Sequence, residues 1–299
     1  MPTVASLDTY SFAFNGFVFG GSDSPYQLTS VEGLEDLPSI RNQDDNRGYQ
    51  DGMFTGRDFL SGRTLVFTFQ IFANANYTMT QNLAFMQQAL QPQQSGTSIL
   101  QFQLPGQALQ RVNARVRRRN ITIDPDFTYG RAMGTYEFFC PDPLIYDDAS
   151  NSTSIYSVIV PAGRTYDRVY TATASPGANP FETGMSFGGG FNTSIVTNAG
   201  WAATYPTITI TGPVVNPKVI NQSTGAFLLI NYSMLQSDTI VLDTDMRTVT
   251  LNGNNQRSLL DNTSSWFNLP AGTTLLSFTA TSGTDANTTC VVSWRNAYI

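Results

Sequence analysis

Carboxylates are the side chains best supplied for acid–base chemistry in this chain, and they come almost entirely as aspartate. Of 22 acidic residues in 299, only Glu32, Glu35, Glu137 and Glu182 are glutamates, and there is no histidine. That absence removes Ser-His-Asp and Cys-His nucleophiles, His-ligated zinc and the usual proton shuttle near neutral pH. The single lysine, Lys218, stands in Asn216-Pro217-Lys218, so no P-loop exists to hold a nucleotide phosphate. A two-carboxylate glycosidase needs no histidine, and the nearest candidate pairs are Asp243 with Asp245 and Asp44 with Asp45. Asp243 and Asp245 share a strand face by alternation, but they precede the hairpin Arg247 to Gln256 and read as a solvated strand end. A calcium site there would need further oxygen ligands, and the neighbouring sequence supplies no cluster of them. Catalytic, metal and cofactor residues are therefore expected to be none.

Positive charge gathers in one place, Arg111-Val112-Asn113-Ala114-Arg115-Val116-Arg117-Arg118-Arg119. Val112, Ala114 and Val116 fall on one strand face, and Arg111, Arg115 and Arg117 on the other. Three readings stay open: a solvated face balanced by Glu32, Glu35 and Asp36, a protein contact, or a nucleic-acid contact. No aromatic residues interleave the arginines as single-strand binding requires. The net charge of -6 gives no nucleic-acid footprint over the chain as a whole. Charged residues make up only 13%, about half the usual share. The surface must then be largely Ser, Thr, Asn and Gln.

Three tryptophans offer rings for sugar stacking. Trp266 and Trp294 lie in strand patterns and read as core, which leaves Trp201 as the carbohydrate candidate. Gly188-Gly189-Gly190 lacks the strand-to-helix setting of a phosphate loop and reads as a loop. Cys140 and Cys290 read as two buried free thiols. No stretch has the length of apolar residues that a membrane span needs. Met1 to Asp8 lacks the basic and apolar regions of a signal peptide, which points to folding in a cytoplasm.

The elements that must position these groups are mostly strands. Tyr10 to Gly20 suggests a hairpin or bulged strand around Gly16, and residues 21–62 read as a long irregular region. Leu65, Phe67, Phe69 and Ile71 alternate through Arg63 to Phe72, a strand with one buried face. Thr78-Met79-Thr80-Gln81 is a capping-box pattern, followed by Leu83, Met86 and Leu90 at helical spacing and stopped by Pro92. Strands follow over Ile99 to Leu104, Gln110 to Arg117, Ile121 to Asp124 and Arg131 to Cys140. Cys140-Pro141-Asp142-Pro143 permits no helix, and the chain then loses hydrophobicity, placing a domain boundary near residue 147. The domains are expected to be 1–147 and 148–299.

The second half reads as almost wholly β. Strands are expected at Ile155 to Val160, Val169 to Ala174, Thr207 to Gly212, Val214 to Asn221, Ala226 to Tyr232, Thr239 to Asp243 and Thr248 to Leu251. Ser264 to Leu269, Thr274 to Ala280 and Thr289 to Trp294 complete the set. Ser175 to Gly200 reads as loop, and Asn252-Gly253 gives a type I′ turn signal. Short antiparallel strands at this spacing indicate a sandwich or jelly roll.

An ordered set of words adds a family resemblance. Ile208-Thr209-Ile210-Thr211-Gly212, Asn216-Pro217, Asn221, Thr224-Gly225, Asp238, Asp243 and Leu251-Asn252-Gly253 are followed by Trp266-Phe267-Asn268-Leu269-Pro270-Ala271-Gly272 and Trp294-Arg295. Together they resemble the C-terminal domain of siphophage distal tail proteins. Phe12-Ala13-Phe14-Asn15-Gly16, Asp51-Gly52, Gly62-Arg63 and Asp142-Pro143 with Tyr146 agree in the first half. The resemblance implies a mainly β protein: a tail-tube-like β-sandwich with one helix, then a galectin-like β-sandwich. It implies a homohexameric ring joining the major tail tube protein to the tail hub around the path of the genome, with the tape measure protein as a further partner, in the virion at the distal end of the tail. It implies assembly in the host cytoplasm and no enzyme activity.

On that reading the hairpin bearing Phe14 and Phe17 and the strand bearing Arg117, Arg118 and Arg119 are expected at the contact between subunits. The alternative is a carbohydrate-binding adhesion module using a cell-surface glycan.

Overall fold

The computed structural model describes residues 4, 6–156, 192–285 and 287–299. The expected strand Val169 to Ala174, the end of the expected strand Ile155 to Val160, and Gly188-Gly189-Gly190 lie outside them. The fold is mainly β, as expected. Two compact units divide the chain. The first is Met1–Ser150 with Gly200–Ala202 and Arg295–Ile299, and the second is Asn151–Ala199 with Ala203–Trp294.

In the first unit an antiparallel sheet runs Phe17–Gly20, Ser11–Phe14, Ser98–Gln103, Gln110–Thr122, Arg131–Cys140, Arg63–Phe72, Tyr26–Glu32. The first two strands form a hairpin closed by Asn15 and Gly16, both at positive φ as a type I′ turn requires. Strand Gln110–Thr122 pairs with Ser98–Gln103 through residues 110–114 and with Arg131–Cys140 through 115–122, so it binds the two halves of the sheet together. The separately expected Ile121 to Asp124 strand is simply its end. The inner face is aromatic: Phe12, Phe67 and Phe138 are buried, with Phe12–Phe67 and Phe67–Phe138 edge-to-face at 4.9 and 5.2 Å.

Helix Met79–Ala89 covers part of this core with Met79, Leu83 and Met86. Both bonds of its capping box form, Gln81 N–H to Thr78 Oγ1 and Thr78 N–H to Gln81 Oε1. A second helix, Pro125–Thr128, was not foreseen; Asp124 caps it, and Gly130 at positive φ follows on the way to the next strand.

The irregular reading of residues 21–62 needs correction. Tyr26–Glu32 is an edge strand, hidden from a period-two search because a bulge between Leu28 and Ser30 shifts the alternation. Beyond it, residues 33–62 make an arm with two short ladders, Ile40–Arg41 on Phe59–Leu60 and Asp45–Asn46 on Met53–Phe54.

The second unit is a sandwich. One sheet runs Asn151–Ile155, Thr289–Trp294, Thr207–Thr211, Thr239–Asp243, Thr248–Leu251, Asn254–Asn255, and the other Thr193–Asn198, Gly272–Thr279, Lys218–Asn221, Phe227–Leu229. Ile208, Ile240 and Val292 from the first meet Val196, Val219, Leu276 and Phe278 from the second in one buried cluster. Three expectations differ. Ser264 to Leu269 is not a strand, because Phe267 and Leu269 are buried from an irregular segment. Val214 to Asn221 is split by Asn216, at positive φ, and Pro217. Thr193–Asn198 is a strand with Val196 turned inward while Ile195 is 65% exposed.

Candidate functional site

Arg111, Arg115 and Arg117 lie on the outer strand face as expected and Arg118 joins them, but Arg119 sits across from the buried Tyr136, on the helix side. Val112, Ala114 and Val116 are buried, while Arg117, Arg118 and Arg119 are exposed. A bulge between Val116 and Arg118 makes Arg117 an extra residue, so Arg118 pairs with Glu137 and Arg119 with Tyr136. Without it, strict alternation would aim Arg118 at the core. Arg115 and Arg117 lie over the Phe139 ring, at 5.8 and 4.5 Å. Arg119 lines a cleft with Gln87 and Gln88 of the helix and Gln91 just beyond its end. Burial raises the pKa of the Tyr136 phenol, and the nearby Arg119 charge offsets part of that rise.

The arm was missed by sequence reasoning. Its root is held by Arg63, which is 2% exposed. Arg63 donates from Nη1 to the carbonyls of Gly33 at 2.8 Å, Asp36 at 2.9 Å and Leu34, and from Nε to Pro143 O at 3.0 Å. Burial lowers its pKa, partly offset by Cys140, Glu35 and Asp36. Gly33 has φ +83°, and a Cβ there would meet Thr64 O at 2.1 Å, so no other residue lets the arm leave here. Outward along the arm Leu37, Tyr49 and Phe54 are all more than half exposed. Arg47 lies over Phe54 at 5.1 Å. The available signal was these aromatics standing in a Gly/Asp/Asn-rich stretch.

The remaining sequence candidates scatter. Phe14 is fully buried against Phe138, ring centroids 5.1 Å apart, so its side chain is not presented at the surface. Phe17 is partly buried on Tyr26 at 4.9 Å, in the strand that ends the sheet. Trp201 is 69% exposed and belongs to the first unit, whereas Trp294 is core and donates from Nε1 to Thr197 O at 3.0 Å. Asp243 Oδ1 accepts from the N–H groups of Asp245 and Met246, both at 3.0 Å, so it closes a turn. Asp44 likewise takes Gly56 N–H at 2.8 Å. Among the described residues no group of three or more His, Cys, Asp or Glu is placed to hold a metal ion. Both cysteines are free and buried; burial pushes Cys140 up to about 12 and raises Cys290 as well. Among the described residues no helix is long and apolar enough to cross a membrane.

Comparison with known proteins finds likeness in both family and fold. Residues 199–298 match the family described as siphovirus-type tail component, C-terminal domain. The Dit (gp 19.1) protein of phage SPP1, described as a paradigm of the hub adsorption apparatus in phages infecting Gram-positive hosts, has the same fold. It superposes with a TM-score of 0.66 at 16% identity, over 98% of this chain and 100% of that one. A chain of the phage P2 baseplate in its activated conformation with Ca gives 0.49 at 10% identity over 95% and 97%, too distant to bear on function. No curated protein sequence matches. The family match thus covers the C-terminal third of the chain, and the structural likeness extends a shared fold over nearly all of it.

Proposed function

We propose that this chain is a structural tail component that forms a homohexameric ring joining the tail tube to the tail hub and adsorption apparatus of a siphophage. The observation that carries the reading is the arm of residues 33–62. It is fastened at its root by Arg63, while Leu37, Tyr49 and Phe54 are left largely in water. Its two-residue ladders cannot stand alone, since isolated ribbons are marginal in water. A neighbouring copy that covers these side chains supplies what the arm lacks, and repetition of one such contact closes a ring. The exposed Arg117, Arg118 and Arg119 and the terminal strand Phe17–Gly20 provide further contact, the strand through its outer backbone groups. Tube, tape-measure and hub proteins are the partners on this reading, the virion tail its location and the host cytoplasm its place of assembly. Its role is mechanical, not enzymatic.

Native mass spectrometry with negative-stain microscopy tests this. Sixfold particles are expected, and the pair Tyr49→Ser with Phe54→Ser should shift them to monomers. A wild-type protein that stays monomeric at high concentration overturns the ring.

A further inference from the structure

Trp201 is 69% exposed, yet its ring is held in place. It meets Tyr298 edge to face, centroids 4.7 Å apart at 72°. A Cβ on Gly200 would meet Ala297 O at 2.0 Å, so glycine is what lets the chain run against Ala297. Ala202 N–H then donates to Ala297 O at 3.0 Å. Tyr298 is fixed in turn by pairing with Ile145 and by its hydroxyl, which donates to Asp147 Oδ2 at 3.3 Å. Asn296 Nδ2 donates to the same oxygen at 2.8 Å. Burial, then the Asp147 charge and hydrogen bond, raise the Tyr298 pKa and keep the phenol a donor.

A pocket of about 360 Å³ opens beside this ring, with Glu35, Gln107, Gln110 and Asp147 among its walls. That volume lies within the range of small-ligand sites. The polar inventory selects the ligand. Two carboxylates and no cationic side chain among the lining residues disfavour an anion. A simple cation would use the carboxylates and the amide oxygens of Gln107 and Gln110, but would leave their N–H donors and the indole face without a partner in the ligand. A polyol uses all of them, because each hydroxyl both donates and accepts, while the C–H face of a pyranose stacks on the indole. We propose that this pocket binds a neutral saccharide, with Trp201 as the stacking platform and Glu35, Gln107, Gln110 and Asp147 reading the hydroxyls. The site gives the tail component an adhesive function beyond ring assembly. It is not a property of residues 148–299, since most of its polar groups come from earlier in the chain.

The test displays the full-length protein to an array of neutral oligosaccharides, with sialylated and phosphorylated glycans and choline as charged controls. The best neutral hit is then titrated by calorimetry. Trp201→Ala should weaken binding at least about tenfold and Glu35→Gln several-fold, with melting temperatures unchanged. Trp201→Phe should recover part of the loss and serves if the alanine variant folds poorly. The proposal is overturned if no neutral glycan is held, if Trp201→Ala binds as wild type does, or if only the charged probes bind. Because binding is read on the whole chain in any assembly state, failure of the ring and failure of the pocket are told apart.

Discussion

Arg63 lies 2% exposed beneath the root of the arm, whereas Arg117, Arg118 and Arg119 stand in solvent on another strand of the same sheet. The first spends its Nε and Nη1 donors on four backbone carbonyls of the same unit, with Nη2 buried beside them. The others are exposed and meet the fold only in part, Arg117 on the Phe139 ring and Arg119 beside the Tyr136 phenol. Burial cost explains the difference: a guanidinium withdrawn from water must have its donors met, and carbonyls left behind by its loss would be stranded. An exposed guanidinium carries no such penalty and is free to meet a partner.

That contrast can be broken most sharply at Arg63. Arg63→Ala should cost about 3 kcal/mol or more, read as a lowered midpoint in denaturant unfolding. Arg63→Lys should rescue little of it, since one ammonium cannot reproduce the fork across these carbonyls. A loss under ~1 kcal/mol would mean that the clamp is ornamental. Arg111 is the intermediate case. It is only 16% exposed in its side chain and contacts Asp148 Oδ1 at 2.6 Å, and Arg111→Ala should cost about 2 kcal/mol. Thr78→Ala, which removes half of the capping box, should cost about 1 kcal/mol by the same assay. At the other extreme, replacing Arg117, Arg118 and Arg119 together by Ser should cost no more than about 1 kcal/mol, the loss of one stacked cation, while lowering the mass of the assembled particle. Unchanged assembly would assign those arginines to solvent.

Much of this was legible from residue order, and the failures have causes. The strand Arg63–Phe72 and the capped helix follow from strict periodicity and a local hydrogen-bond motif, which tertiary contacts reinforce. Tyr26–Glu32 escaped because one bulged residue breaks the period, and Thr193–Asn198 because a single valine faces inward. Phe267 and Leu269 imitated strand alternation in a segment whose burial comes from the surrounding sandwich. The site was less legible. The arginine run announced itself through composition, but its bulge did not. Trp201 was singled out by elimination, yet Glu35 and Asp147 are far from it in sequence, and only tertiary structure brings them together.

The Phe139 ring beneath Arg115 and Arg117 carries one more consequence. A free surface arginine surrenders rotamer entropy when it meets a carboxylate, and that loss subtracts from affinity. Arg115 and Arg117 have surrendered part of theirs at folding, by lying on an aromatic face. A partner therefore encounters cations already ordered, and the association loses less to conformational freedom than the same charges on an unsupported strand would.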